Sequence, residues 1–457
     1  MKKLFYILLI LIPVIVSAKQ DGYQSSPLDY IWQNVGNAGF SAGKAYYINL
    51  VFSPAGQPYV AYQDSTNFKK ATVIKFDGTN WVYVGTAGFS GGEAGFPSLA
   101  FSPSGEPYVA YQDFSYALKT TVKKFDGIKW VNVGITGFSA GYTNYTSLTF
   151  SPSGQPYVAY QDGGNSVKAT VMKFDGTSWV YVGLAGFSPW YAYCTSLAFS
   201  PSDGQPYVAY VDGNNLLKAT VMKFDGTNWV NVGNAGFSAG WADYTSLAFS
   251  PSGQPYVAFT DCGNSCKATV MKFDGTNWVN IGTAGFSAGQ VECITIAFSP
   301  SGEPCVAYRD WGNSYKATVM KYNGTNWVNV GNAGFSAGDA CYTSLAFSPT
   351  GQPYVAYMDW ANAQNATVMK YDSVFVGINE LLESPLSIYP NPTLTTITIE
   401  TPTKGSLSIN NSSGQQIITR QITEPKTQID ISNLPSGVYF VRLTGDKAVA
   451  MGKFVKQ

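Results

Sequence analysis

The sequence predicts an all-β chain: a seven-bladed β-propeller of four-stranded sheets, followed by a small C-terminal β-sandwich. Three observations predict it. A phrase opened by tryptophan recurs seven times at a nearly constant interval, at Trp32, Trp81, Trp130, Trp179, Trp229, Trp278 and Trp327. Each repeat holds four short strand signals and no helical period. The two ends of the repeat region are out of phase by one strand, so that the first completes the last.

The chain opens with a secretory signal. Lys2 and Lys3 precede an apolar run from Leu4 to Val16, and Val16-Ser17-Ala18 is a small-residue cleavage site after Ala18. A membrane-spanning helix needs roughly 20 apolar residues, and no other segment is apolar enough to span, so the mature chain is expected to have no transmembrane segment. Residues 1–18 are thus read as the signal peptide and 29–372 as the propeller.

The spacing of the tryptophans is 49 residues, with one interval of 50 caused by Asp203 in a turn. Residues 196–233 illustrate one repeat. Ser196-Leu-Ala-Phe-Ser forms the first strand, and Ser-Pro-Ser-Asp-Gly-Gln-Pro turns the chain. Tyr207-Val-Ala-Tyr-Val is the second strand; a loop from Asp212 to Leu217 leads to the third, Ala219 to Phe224. The tight turn at Asp225-Gly226 leads to the fourth, Trp229 to Val232. The region opens with a lone fourth strand, Trp32 to Gly36, and its last repeat ends at Tyr371-Asp372 without one. If Trp32–Gly36 lies beside Thr367–Lys370, the sheets close into a ring with no exposed edge. Val374-Phe-Val-Gly is a weaker candidate for the same place.

From Leu386 the composition changes. Tyr389-Pro390-Asn391-Pro392, then Gly437-Val-Tyr439, then Lys453-Phe-Val-Lys456 resemble the type A sorting domain of type IX secretion. Val376 to Leu381, within the linker 373–385, resembles the segment leading into that domain. The resemblance covers 386–457. It implies a periplasmic passage, an outer-membrane secretion machine as partner, and a protein that is secreted or held on the outer cell surface. About seven short strands in this stretch fit a β-sandwich.

Composition excludes several functions. Histidine is absent, which removes Ser-His-Asp catalysis, imidazole metal sites and histidine pH switches. The formal net charge is zero and the chain has three arginines, Arg309, Arg420 and Arg442, so nucleic acid is not an expected partner. No catalytic motif is present, and no cofactor or metal is expected. A seven-fold Asp at the end of the second strand (Asp64, Asp113, Asp162, Asp212, Asp261, Asp310 and Asp359) admits calcium, but a residue required in every repeat is better read as turn scaffold. Of six cysteines, Cys262 and Cys266 are close enough to pair within one loop; the other four are read as free thiols.

The repeats also act as controls for each other. The turns after the first and third strands, at one end of the ring, are nearly identical. The loops after the second and fourth strands, at the other end, differ and collect aromatic residues, whereas exposed loops usually favour small polar ones. Tyr145, Tyr193, Tyr244 and Tyr342 are read as recurring packing residues between blades. Trp190, Tyr191, Trp241, Trp311, Tyr315 and Trp360 do not recur, and with Asp243, Glu292 and Asp339 they form the candidate ligand-binding rim. Aromatic faces beside polar groups suit a glycan or a surface protein. The expectation is therefore a secreted or cell-surface binding protein, lectin- or adhesin-like. A hydrolase or lyase using Glu292 with Asp243 or Asp339 is the alternative from another class, and a purely structural surface role is a third.

Overall fold

The computed structural model describes residues 29–374, 386–402, 404–412, 414–445 and 449–457. The signal peptide and the segment Val376–Leu381 lie outside them. The chain divides into two compact units, one spanning Tyr30–Ser373 and one holding the C-terminal module.

The first unit consists of seven four-stranded antiparallel sheets. Blades 1 to 6 run in chain order, each made of four consecutive strands; in blade 4 these are Ala192–Phe199, Pro206–Asp212, Lys218–Phe224 and Trp229–Asn231. Blade 7 uses Ala340–Phe347, Pro353–Asp359 and Asn365–Val374, and its outermost strand is Asp29–Asn34 from the start of the region. The backbone N–H of Val35 donates to the carbonyl of Val368 at 2.9 Å, so the ring closes as the phase offset requires. Val374 instead ends the third strand of blade 7.

The repeated tryptophan is the clasp between blades. Each indole Nε1–H donates to a carbonyl on the fourth strand of the preceding blade at 2.7 Å: Trp81 to Val35, Trp130 to Val84, and so on to Trp327 with Ile281. The last bond, Trp32 to Val330, closes the circle. Each indole also stacks on the phenylalanine of the preceding Gly-Phe-Ser phrase, as Trp32 does on Phe335 at 4.0 Å. A buried indole needs both an apolar wall and an acceptor, and this position supplies both.

The first strand of each blade begins about four residues earlier than its alternating pattern indicates, at Ala192 rather than Ser196 in blade 4. A bulge between Tyr193 and Ser196 interrupts the alternation, and the same shift recurs in every blade, for example between Tyr46 and Asn49. The seven aspartates are buried to within 1% exposure. In blade 1, Asp64 Oδ1 accepts from the Thr66 N–H, and Oδ2 accepts from Asn67 Nδ2 and Thr72 Oγ1. This pattern repeats in blade 5 around Asp261. The recurrent carboxylate therefore caps its own 3₁₀ turn, as the scaffold reading expects.

The C-terminal unit pairs a three-stranded sheet (Ser387–Tyr389, Thr396–Glu400, Lys426–Asp430) with a four-stranded one (Gln416–Ile422, Gly405–Asn410, Gly437–Thr444, Val449–Lys456). Ile397, Leu407, Val441 and Phe454 are among the side chains buried in its core. The seven strands form a small sandwich.

Candidate functional site

The site is built where the loops entering each first strand meet the loops after each second strand. In six blades a glycine lets these two loops touch. A Cβ on Gly43 would lie 2.2 Å from Thr66 Oγ1, and one on Gly289 would lie 2.4 Å from the backbone nitrogen of Gly312. Blade 4 has Trp190 at that place instead. The facing residue there is Gly213, along which the indole lies, and the ring is left half exposed. Trp190 and Tyr191 contact each other with centroids 5.2 Å apart.

All six aromatic residues singled out by their irregular occurrence reach solvent, Tyr315 least at 39% and Trp241 and Trp360 most at 51%. Phe114, Tyr116 and Tyr142 are exposed at the same end and widen the aromatic surface beyond those six.

Five of the nine rim residues gather around one cation. Arg309 lies directly across from Glu292 in blade 6. Its Nη1 donates to Glu292 Oε2; its Nε and Nη2 donate to Asp339 Oδ1 and Oδ2, on the loop entering blade 7, at 2.7 and 2.6 Å. Its guanidinium carbon sits 4.7 Å from the centroid of Tyr315, which meets Trp311 edge to face at 5.0 Å. The Trp360 backbone N–H donates to the Asp339 carbonyl, which ties the seventh-blade indole to the same group. Burial alone would lower the Arg309 pKa, but the bonds from Asp339 and Glu292 outweigh it and raise it further. One cation held by two carboxylates and one aromatic face is a rigid, weakly negative platform.

Asp243 and Trp241 form part of blade 5, where Asp243 points inward. Its Oδ1 accepts from the Cys194 thiol at 3.3 Å and from the Tyr244 N–H at 2.9 Å. Here the structure corrects the register. The residue in blade 4 that aligns with Tyr145, Tyr244 and Tyr342 is Cys194; Tyr193 stands one place earlier, opposite Val211. The aligned set is Tyr47, Phe96, Tyr145, Cys194, Tyr244, Cys293 and Tyr342, each in the left-handed region with φ between 49° and 54°. The bulge re-aims these side chains into a central cavity of about 340 Å³. Tyr342, Tyr47, Phe96 and Tyr145 touch in sequence around one side of it, with centroids 4.6 to 5.1 Å apart. Burial pushes the Cys293 thiol up to about 12, and raises that of Cys194 as well, so neither is a reactive thiolate at neutral pH.

Cys262 and Cys266 are joined by a disulfide across the turn after the second strand of blade 5, and the other four cysteines are free. Among the described residues no group of three His, Cys, Asp or Glu side chains is placed to hold a metal ion, and no helix is long and apolar enough to cross a membrane. In the C-terminal unit, Asn391 donates from Nδ2 to the Lys453 carbonyl and accepts at Oδ1 from the Val455 N–H. Tyr439 packs on Phe454 and donates to the Pro435 carbonyl. The first, second and third motifs thus lock one fold.

Residues 387–457 match the family model described as the secretion system C-terminal sorting domain. The C-terminal module is a secretion sorting domain. The sorting domain marks the chain for handling by secretion machinery and for a secreted or cell-surface location, in agreement with the motifs at Tyr389–Pro392, Gly437–Tyr439 and Lys453. No curated protein matches the chain. Among solved structures, a chain of a mitotic checkpoint complex superimposes with a TM-score of 0.50 at 14% identity, covering 80% of this chain and 99% of its own. An ulvan lyase of polysaccharide lyase family PL25 gives 0.49 at 14% identity, covering 74% of this chain and 95% of its own. The lectin of Aleuria aurantia gives 0.42 at 19%, covering 66% and 100%. At such identities the likeness concerns the fold ahead of the sorting domain and nothing more.

Proposed function

We propose that the exported propeller is a glycan-binding protein, and that its ligand lies across the variable end of the ring on blades 4 to 7. The observation that carries this reading is the solvent exposure of Trp190, Tyr191, Trp241, Trp311, Tyr315 and Trp360 on one end of a ring in which six of the seven recurring clasp tryptophans are buried. Flat aromatic faces stack on the apolar face of sugar rings, and nearby carboxylate and amide oxygens accept hydroxyl protons. The one arginine of this end is already engaged by Glu292 and Asp339, while Lys218, Lys267 and Lys316 open the third strands of blades 4 to 6 at the same end. Because Glu292 and both oxygens of Asp339 are taken up in holding Arg309, these acids support positioning more readily than bond cleavage.

The test is a glycan array probed with the purified protein and with Trp190→Ala, Trp241→Ala and Trp360→Ala variants. Stacking contacts contribute about 0.5–1.5 kcal/mol each, so every variant should weaken the best ligand about 2- to 10-fold. Equal binding by all three variants would remove the rim as the site.

A further inference from the structure

The opposite end of the ring, where the turns repeat almost unchanged, opens between neighbouring blades into clefts built from equivalent residues. The cleft between blades 1 and 2 measures about 450 Å³ and is lined by Tyr59, Lys75, Tyr83, Glu106, Phe125 and Asp126. That between blades 4 and 5 measures about 380 Å³ and presents Tyr207, Lys223, Asn231, Gln254, Phe273 and Asp274. A third, of about 610 Å³ between blades 6 and 7, has Lys321, Asn329 and Tyr371 at matching places, but Cys305 replaces the tyrosine and Glu303, on the lysine's own blade, is bonded to Lys321. Each lies within the size range of small-ligand sites.

The first two clefts share their chemistry. One wall is a tyrosine under a lysine: Lys75 Nζ stands 5.9 Å from the centroid of Tyr59, and Lys223 Nζ 5.7 Å from that of Tyr207. The facing wall comes from the next blade, with Gln254 or with Glu106, the latter bonded to Lys124, and the Asp of the Asp-Gly turn. Asp126 Oδ1 serves its own turn, accepting from the N–H groups of Ile128 and Lys129. In the first cleft Tyr83 adds an exposed ring at the lip, and Lys75 has no ion pair among the described residues. Donors, acceptors and aromatic edges surround a small open volume, with cation and carboxylates close together.

We propose that these inter-blade clefts are a ring of repeated sites, each taking a single neutral sugar residue, on the face opposite the aromatic rim. Fixed at the blade period, such sites are individually weak but engage a multivalent glycan together. The proposal does not rest on the rim. It places a second, repeated binding function at the end whose sameness otherwise reads as scaffold.

The experiment is native mass spectrometry with calorimetry on the full chain, titrated with the methyl glycosides of glucose, galactose, N-acetylglucosamine and fucose. At least one should bind with more than one equivalent per chain. Tyr83 occupies a position held by Asn in other blades, including Asn132, Asn231, Asn280 and Asn329, so exchanges there preserve the fold. Tyr83→Asn should weaken one site about fivefold, the loss of one stacking contact, and Asn231→Tyr should strengthen another by as much. In a Trp190→Ala, Trp241→Ala background, where the rim is weakened, both cleft exchanges should still shift binding by the same factors. Binding of one equivalent or none by all four sugars would overturn the proposal. So would a number and affinity of sites indifferent to both exchanges at the cleft lip.

Discussion

Arg309 stands where the other blades carry Gln63, Gln112, Gln161, Val211, Thr260 and Met358, the residues paired with the same bulge position. Glu292 and Asp339 were legible as unmatched acids. Their common partner was not singled out as a rim residue, although the one charged residue at a position otherwise held by Gln, Val, Thr or Met was the available signal. Arg309 is 17% exposed and its partners are less than a third exposed. Replacing it with Met leaves two carboxylates facing each other without their cation, and a loss of about 1–2 kcal/mol is expected after allowance for solvent screening. Urea unfolding of Arg309→Met at neutral pH measures it, and an unchanged midpoint would contradict the platform described above. The error at Tyr193 has a related cause. Trp190-Tyr-Ala-Tyr193-Cys194 contains enough aromatics to place a tyrosine in either register, and backbone φ rather than residue type decides which one faces the channel.

At the scale of the element, the Asp-Gly turn links sequence to acid stability. In five blades the carboxylate (Asp77, Asp126, Asp175, Asp225, Asp274) has its pKa lowered by N–H bonds from the third and second residues after it. A group whose folded pKa lies below its unfolded value, about 3.9, adds stability above that value and loses it as pH falls through the folded one. Thermal unfolding between pH 2 and pH 7 should therefore show a decline below about pH 4. Blade 6 supplies the control, because Asn323 accepts the same two N–H bonds without a charge. A variant carrying Asp175→Asn and Asp225→Asn should be less stable than the parent near pH 7, converge with it at the acid end, and so fall less steeply as pH is lowered. Most strands were legible because turns of fixed chemistry bound them. The start of each first strand was not, since the bulge breaks the alternation that marks a strand.

For the whole molecule, the seam between first and last blades was the most legible feature, because a strand missing at one end is supplied at the other, with Val374-Phe-Val-Gly only a weaker rival. Trp32→Ala removes a bond to Val330 and a stack on Phe335; a cost of about 3–5 kcal/mol is expected, read as a lowered Tm. A chain lacking residues 29–36 should leave Asn365–Val374 as an open edge and associate with itself as concentration rises, which light scattering after size exclusion would detect. Should that chain remain as monodisperse as its parent, the seam is not what seals the molecule. The identity of a ligand had no comparable signature, because recognition depends on which irregular side chains face outward together. The uniform clasp has one more consequence. Every indole bonds its neighbour in the same way, and the seam depends only on a fixed offset between the two termini of the array. Gain or loss of one complete 49-residue unit by duplication or slippage of the gene would preserve that offset. The circumference of the ring is therefore open to change across generations without any new chemistry at the join.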